Sequence, residues 1–178
     1  MNIVLKKILP HLAAILGMLA LAAIYFLPQL EGKVMQQSDL IQYKGMTQEI
    51  LEVEEETGEK PLWTNSMFSG MPSFQINTPN LGNYLTILEK GMRFGIEHPI
   101  GRFFVIMLNF YILMLVLGVN RWLAFFGAIA FGFTTNHFTL YEAGHITKLR
   151  AISHFPLVAA GILLTYRKQY VWGGLIRS

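Results

Sequence analysis

Four long apolar stretches of this chain carry no Asp, Glu, Lys or Arg, and they constrain its fold more than any other feature. They cover residues 8–30, 103–120, 122–141 and 151–166. A helix needs about 20 apolar residues to cross a bilayer, and somewhat fewer where flanking cations reach the headgroups. The first and third stretches meet that length, whereas the second and fourth are short. With 53% hydrophobic and 14% charged residues, the chain is typical of an integral membrane protein.

These stretches predict an all-α membrane protein with about four transmembrane helices. Residues 1–30 would hold the first helix, residues 31–102 a large loop with short amphipathic helices, and residues 103–178 helices two to four. The closing letters QYVWGGLIRS are typical of the start of a fifth helix, so we expect a fragment of a longer multi-pass chain. Residues 151–166 would reach only about 24 Å as a helix. Helix four must therefore begin earlier, inside the polar segment before it, or cross a thinner bilayer.

The long loop is expected to have structure of its own, because it is too long for a simple connector. Apolar residues recur at helical spacing from Leu40 to Val53, which predicts a surface helix ending near Gly58. Thr78 and Pro79 form a plausible helix start, followed by an apolar stripe. We expect that second helix to lie in the membrane interface rather than to pack on the loop's own core.

Polar and small residues inside the predicted membrane helices are interpreted as structural. The Asn109 amide should bond to a neighbouring helix, and a face of small residues should allow close helix contact. That face comprises Ala124, Ala128 and Gly132. Three histidines with apolar neighbours should be packed or hydrogen-bonded: His11, His137 and His154.

The distribution of charge orients the predicted helices. Residues 28–102 carry six Lys or Arg against ten acidic residues, whereas the rest of the chain carries eight against one. Cations concentrate on the cytoplasmic side of membrane proteins. Five of them fall on the short segments of one side: Lys6, Lys7, Arg121, Arg167 and Lys168. We therefore expect a cytoplasmic N-terminus and an extracytoplasmic first loop.

Two polar clusters would then share the outer side. The first is Asp39, the only aspartate of the chain, and the second lies between helices three and four. The second cluster comprises Glu142, His145, Lys148 and Arg150. A carboxylate beside a bilayer can act as a general base or a metal ligand, and a His-Lys-Arg set suits an anion such as a lipid-linked phosphate. Together they would suit the transfer of a group away from a phosphate.

Each cluster also has a structural interpretation. Asp39 precedes a helical pattern, where a single aspartate commonly caps a helix. Lys148 and Arg150 could reach lipid headgroups without binding a substrate, and His145 alone is too little for a metal site. On the residues alone, a membrane protein with an ordered outer loop is the better interpretation.

Two motifs add a family resemblance to this interpretation. One is a W-x-N-x-x-x-x-G-x-P pattern within WTNSMFSGMPSFQ, and the other is a G-H-x-x-K pattern within GHITKLRAISHFPLVAAG. Together with the order of the spans, of QQSDLIQY and of AFFGAIAFGFTT, they cover essentially the whole chain. In this order the chain resembles the N-terminal part of the YfhO family of bacterial multi-pass membrane proteins.

The resemblance implies a partial GT-C-like fold, the fold of membrane glycosyltransferases that take a sugar from a polyprenyl-phosphate carrier on the outer side. In that superfamily an acidic residue soon after the first span is the catalytic base or a metal ligand, and Asp39 occupies the matching place. The resemblance also implies substrate-binding roles for further residues: His145, Lys148, Arg150, Glu142, Trp63 and Asn65. The cofactor stays open. A divalent cation is one candidate, although Asp39 has no second acid beside it.

The resemblance therefore predicts a glycosyltransferase of the bacterial cytoplasmic (inner) membrane. It would move a sugar from a polyprenyl-phosphate donor to an extracytoplasmic glycan or lipid, in contact with membrane lipids. This fragment alone is expected to be inactive. The alternative is a non-enzymatic multi-pass protein, such as a lipid-carrier transporter or an envelope assembly factor. The chain has no cysteine and no glycine-rich phosphate loop or basic-aromatic module, so thiol chemistry and a nucleic-acid partner are set aside.

Overall fold

A computed structural model describes residues 3–77 and 85–171 of the chain. The fold is mostly helical, at 73%, which confirms the all-α prediction. The helices of the described residues are α1 (Ile3–Tyr25), α2 (Leu27–Leu30), α3 (Ser38–Thr57), α4 (Leu85–Met92), α5 (Ile100–Val116), α6 (Arg121–Gly132), α7 (Thr135–Ala143) and α8 (Ile146–Tyr166). A short antiparallel pair, β1 (Trp63–Thr64) and β2 (Met71–Pro72), follows α3 and leads into a 3-10 turn, Ser73–Gln75.

Helix α5 lies at the centre of the fold and packs against α1, α6 and α8. Asn109 is fully buried in it, and the Asn109 amide nitrogen donates to the Ser153 carbonyl oxygen of α8 at 2.8 Å. A Cβ at Gly132 would lie 2.5 Å from Met107 Cγ. The small-residue face of α6 therefore lets α5 approach closely, as the sequence predicts.

Two helices are long and apolar enough to cross a membrane. They are the Leu5–Tyr25 part of α1 and the whole of α8. Large apolar side chains such as Leu16 and Phe155 lie exposed on their outer faces, where a soluble protein would carry polar residues. Helices α6 and α7 pass the same test together but are bent by 42°, and α5 is shorter. The described residues thus hold two candidate spans, or three with the bent pair, and the count of four stays a prediction.

The third of the four apolar stretches is not one straight helix. The sequence predicts residues 122–141 as a single span, but α6 ends at Gly132 and α7 begins at Thr135. Thr134 between them has an extended backbone, with ψ at 131°, which interrupts the helical hydrogen bonds. Helix α8 begins at Ile146, inside the polar segment. The helix that contains the fourth apolar stretch therefore begins earlier than that stretch, which is the first of the two alternatives that the sequence left open.

The loop between α2 and α5 is ordered where the structure describes it. Helix α3 ends as predicted, with Gly58 at a φ of 73° after its last turn. Thr78 and Pro79, the predicted start of the amphipathic helix, lie outside the described residues. The helix itself is present as α4, and its side chains Ile87 and Leu88 are exposed.

The helices run up and down, so the bundle has two distinct ends. We call the end where α1 and α7 finish and α5 and α8 begin the loop end. There the Phe26 ring packs 5.4 Å from the ring of Phe103 and 5.4 Å from that of Tyr141. The backbone N–H of Ile100 donates to the Gln29 side chain at 3.1 Å, which ties the start of α5 to α2.

We call the opposite end the turn end. There His11 Nδ1 lies 2.8 Å from the Tyr111 hydroxyl, which joins the beginning of α1 to α5. Arg167, just after α8, donates to the Val116 carbonyl oxygen at the end of α5. The five cations predicted to be cytoplasmic lie on segments of this end. The histidine predictions are confirmed by the His11 bond and by those of His137 and His154 to backbone carbonyl oxygens.

Candidate functional site

The beginning of α3 docks onto the turn between α7 and α8 at the loop end. The Gln37 side-chain amide donates to the Tyr141 carbonyl oxygen, and the Ser38 hydroxyl donates to the Ala143 carbonyl oxygen at 3.3 Å. Gly144 ends α7 with a φ of 86°. A Cβ at Gly144 would lie 3.2 Å from the Asp39 Cβ. The docking therefore depends on glycine both for its backbone conformation and for its lack of a side chain.

This docking brings Asp39 and His145 together. Asp39 Oδ2 lies 2.5 Å from His145 Nδ1, and the two side chains are 44% and 47% exposed. We call these two residues the Asp39 pair. Residues 106 positions apart in the chain thus form a carboxylate–imidazole pair at the surface of the loop end.

Asp39 does not cap helix α3. The capping position is Gln37, whose side chain makes no capping hydrogen bond, and Asp39 lies in the first turn of the helix. A carboxylate there is favoured by the positive end of the helix dipole, since free N–H groups point outward at a helix start. The structural alternative of a cap is therefore wrong in its geometry. The Asp39 carboxylate is directed to His145 instead.

A cleft of about 700 Å³ opens beside the Asp39 pair. It separates α3 from the start of α8, and the chain after the 3-10 turn forms a third wall. Its lining includes Asp39, Tyr43, Met46, Asn77, His145 and Thr147. The mixture of a charged pair with apolar and aromatic side chains is typical of a ligand cleft, which fixes a ligand by a few polar groups.

Trp63 and Asn65 do not line this cleft. Trp63 is an exposed residue of β1, and its indole lies over Gly70, where a Cβ would come within 2.6 Å of the indole nitrogen. The Asn65 backbone N–H donates to Glu49 at 2.9 Å, and the Thr64 hydroxyl donates to the same carboxylate oxygen at 2.5 Å. These bonds, that of Thr64 first, lower the pKa of Glu49. In the structure this motif folds the loop against α3.

The predicted Glu142–His145–Lys148–Arg150 cluster separates in the structure. The Glu142 and Lys148 side chains are exposed and make no hydrogen bond or ion pair with the residues that the structure describes. Arg150 lies five residues after His145, about 140° further around α8 and about 7.5 Å along its axis. It therefore points to a different neighbour, which is Glu89 of helix α4.

Glu89 is the centre of a second charged site that the sequence interpretation missed. Its side chain is only 4% exposed, and Arg102 Nη1 lies 3.1 Å from its Oε1 atom. Arg93 Nε lies 3.9 Å from the same oxygen, and Arg150 Nε forms an ion pair with Oε2. Arg150 also donates to the Thr86 hydroxyl at 3.4 Å. We call Glu89, Arg93, Arg102 and Arg150 the Glu89 cluster.

Positive charge exceeds negative charge in the Glu89 cluster. Three guanidinium groups surround one buried carboxylate. A second acid, Glu97, lies 3.7 Å from Arg93, but its side chain is 75% exposed and water screens its charge. Several buried donors have no hydrogen-bond partner among the described residues: Nε of Arg93 and both Nε and Nη1 of Arg102. Arg102 Nη1 is close to Glu89 without directing an N–H bond at it.

His98 lies beside this cluster, and the positive charge of the cluster is one of the causes that lower its pKa. The His98 ring stacks on Tyr141 with centroids 5.2 Å apart, and neither ring nitrogen has a hydrogen-bond partner in the described chain. Burial, followed by the charges of Arg102 and Arg93, lowers the pKa of His98 to about 4. His98 is therefore neutral at physiological pH.

One signal in the sequence could have identified the Glu89 cluster. Glu89 lies one residue after Leu88 and three before Met92, so an acidic residue interrupts the apolar stripe of an amphipathic helix. A carboxylate on such a face needs cationic partners. Arg93, four residues later and just after the end of α4, was one visible partner.

A metal site of several acids is not present in the described residues, since no three of their His, Asp or Glu side chains come together. Asp39 has one close ionisable partner, His145, and the two alone do not fit the ligand set of a divalent cation.

The fold and these two sites define an all-α chain with helices that can span a membrane and with charged groups gathered at one end. Comparisons with protein-family models, with curated proteins and with solved structures find no match for the chain. The resemblance to the YfhO family and to GT-C glycosyltransferases therefore stays a prediction.

Proposed function

We propose that the chain carries the catalytic carboxylate of an integral membrane glycosyltransferase of the GT-C type. The enzyme would transfer a sugar from a polyprenyl-phosphate donor to an extracytoplasmic glycan or lipid acceptor. The proposal includes four spans in a bacterial cytoplasmic membrane, a cytoplasmic N-terminus and a loop end that faces outward. Membrane lipids would surround the bundle.

One observation carries the proposal: the 2.5 Å contact between Asp39 Oδ2 and His145 Nδ1 beside a cleft. A half-exposed carboxylate with a single imidazole partner keeps a second oxygen free for a substrate proton. Because the pair lies next to helices that can span a membrane, a lipid-linked donor could reach it from the bilayer. The resemblance to GT-C enzymes suggests the same role for Asp39 independently of this geometry.

The chemistry would need one proton acceptor. The acceptor hydroxyl oxygen attacks the anomeric carbon of the sugar, the bond from that carbon to the phosphate oxygen breaks, and the phosphate leaves with the electron pair. The hydroxyl proton passes to the free Oδ1 atom of Asp39 or to Nε2 of His145. When His145 donates its Nδ1–H to Asp39, its Nε2 atom is left with a lone pair that can accept a proton.

Turnover by the full-length protein tests this proposal. A panel of polyprenyl-phosphate-linked sugars would be offered to the wild-type protein, to Asp39→Asn and to His145→Gln. We expect a loss of about 100-fold or more for Asp39→Asn, the range of a general base. Glu55→Gln is the matched control, since Glu55 is an exposed carboxylate of the same helix α3. Turnover by Asp39→Asn equal to that of the control would refute the assigned role.

The residues with proposed binding roles can be sorted in the same assay. Lys148 follows Thr147 of the cleft lining, Glu142 lies two residues before Gly144, and both are exposed. In this proposal they contact the donor or acceptor rather than the fold. Changes there should raise KM more than they lower kcat. Donor binding by the wild-type protein without any turnover would instead favour a non-enzymatic carrier-lipid transporter or envelope assembly factor.

A further inference from the structure

We infer that Arg93, Arg102 and Arg150 form a binding site for one phosphate monoester group, with Glu89 holding the three guanidinium groups together when the anion is absent. This inference needs only anion binding and does not depend on a transfer reaction. The site is separate from the Asp39 pair, which contacts none of these residues in the structure.

The first support is the imbalance of charge. Arg102 is 9% exposed and Arg93 11%, so both guanidinium groups lie largely out of water, whereas one buried carboxylate serves them and Arg150 together. Unpaired charge in a low-dielectric setting is costly, and proteins avoid it unless another charge is supplied. A phosphate monoester carries a charge of about −1.5 to −2 at pH 7, which matches the excess of two guanidinium groups over Glu89.

The second support is the set of free donors. The described residues leave Arg93 Nε and Arg102 Nε without hydrogen-bond partners although both atoms are buried, and Arg102 Nη1 has only its ion pair with Glu89 at 3.1 Å. Buried polar atoms are rarely left unpaired, and each such atom needs an explanation. Guanidinium groups offer several N–H donors in a planar fork that suits phosphate oxygens. One phosphate could accept from all three arginines.

The third support is the position of the cluster. It lies at the loop end between α4, the first turn of α5 and the second turn of α8. Arg150 is 34% exposed, so the cluster can be reached from outside the bundle. Helix α4 also carries exposed Ile87 and Leu88 next to Glu89. The phosphate could therefore belong either to a lipid headgroup or to a free anion, since both carry the same group.

Thermal unfolding of the chain in phosphatidylcholine nanodiscs tests the inference with two probes. One probe is inorganic phosphate, with sodium chloride at equal ionic strength as the reference, and the other is phosphatidic acid added to the nanodiscs. We expect at least one probe to raise the Tm of the wild-type chain. A response to both probes identifies the phosphate group alone as sufficient, whereas a response to phosphatidic acid only identifies a lipid headgroup. No response to either probe overturns the inference.

Variants at the cluster should separate a binding site from a purely structural network. Arg102→Gln should bind phosphate about tenfold more weakly, the loss expected for a charged hydrogen bond. Lys90→Gln is the matched control, because Lys90 is an exposed cation of α4 next to Glu89. Arg102→Gln responding to the probes as strongly as the control would contradict the site.

Glu89→Gln gives an outcome that a structural network cannot mimic. This variant removes the only buried anion of the cluster, so the chain should be less stable without phosphate and should gain more Tm from phosphate than the wild-type chain does. In a purely structural network, phosphate would leave the Tm of Glu89→Gln unchanged. If Arg102→Gln does not fold, Arg102→Lys keeps the charge but loses the fork, and weaker phosphate binding is expected for it as well.

Discussion

The Asp39 pair and the Glu89 cluster join the same two parts of the molecule, the first loop and the beginning of α8, but in opposite ways. The pair matches one acid with one imidazole at the surface, where both side chains are nearly half exposed. The cluster sets one acid, only 4% exposed, against three guanidinium groups. Exposed ion pairs contribute little to stability, whereas breaking a buried one is costly. Removing the charge of the Asp39 pair should therefore change the free energy of unfolding little, whereas removing the buried charge of Glu89 should lower it strongly.

The largest expected effect concerns Glu89. Glu89→Gln leaves three guanidinium groups without their carboxylate, which should lower the free energy of unfolding by about 3–5 kcal/mol. Glu97→Gln removes an exposed acid that pairs with Arg93. It should change the free energy of unfolding by less than about 0.5 kcal/mol. Unfolding in mixed micelles, followed by tryptophan fluorescence, measures both. Equal stability of the two variants would remove the contrast between buried and exposed acids.

The next effect is a dependence of stability on pH through His98. The pKa of His98 is lowered from 6.5 to about 4 in the folded chain, so the unfolded chain takes up this proton more readily. The stability that neutral His98 contributes is complete above pH 6.5 and is lost as the pH falls to about 4. The loss amounts to about 3 kcal/mol at most, at 1.36 kcal/mol per unit.

His98→Gln isolates this contribution. Its unfolding curve should be flatter between these pH values than that of the wild-type chain, and the difference between the two is the part due to His98. Parallel curves would show that neither burial nor the charges of Arg102 and Arg93 lower the pKa of His98 in the folded chain.

A smaller effect is expected at the turn beneath the Asp39 pair. Gly144→Ala adds a Cβ at a φ of 86° and within 3.0 Å of the Gln37 Cβ, which should cost about 1–2 kcal/mol and move α3 away from His145. Gly45→Ala is the control in α3, since nothing lies within 4 Å of the added methyl. It should stabilise the helix by about 0.5–1 kcal/mol. Destabilisation of similar size in both would contradict the docking.

The smallest effect on stability is expected at Asp39 itself. Asp39→Asn should change the free energy of unfolding by less than about 1 kcal/mol, the range of an exposed ion pair. A loss as large as that of Glu89→Gln would mean that the pair holds the fold together, and its free carboxylate oxygen would lose its significance for catalysis.

The sequence predicts the parts of this architecture that depend on periodicity and charge. The small-residue face of α6, the buried Asn109 and the end of α3 at Gly58 all follow from local patterns. The meeting of Asp39 with the segment around His145 follows from the alternating direction of the helices. These features need no knowledge of which side chains touch across the fold.

The break at Thr134 and the Glu89 cluster were not predicted, for different reasons. No proline or glycine pair marks the break, so the apolar stretch reads as continuous. The partners of Glu89 come from the turn after α4, from α5 and from α8, and Arg102 and Arg150 lie 13 and 61 residues after it. Only the packing of α4 against α5 and α8 brings them together. The same packing turns Arg150 away from His145, which the spacing of the residues along the sequence did not reveal.

Accessibility from the two sides of the membrane tests the central claim that one outward-facing end of the bundle holds the Asp39 pair and its cleft. Asn77 and Thr147 both line the cleft, on separate parts of the chain, and the chain has no native cysteine. Asn77→Cys and Thr147→Cys would each be treated in intact cells with a maleimide that cannot cross the membrane. We expect both to be labelled from outside. Labelling of the two from opposite sides, or of both only after the cells are opened, would contradict the account.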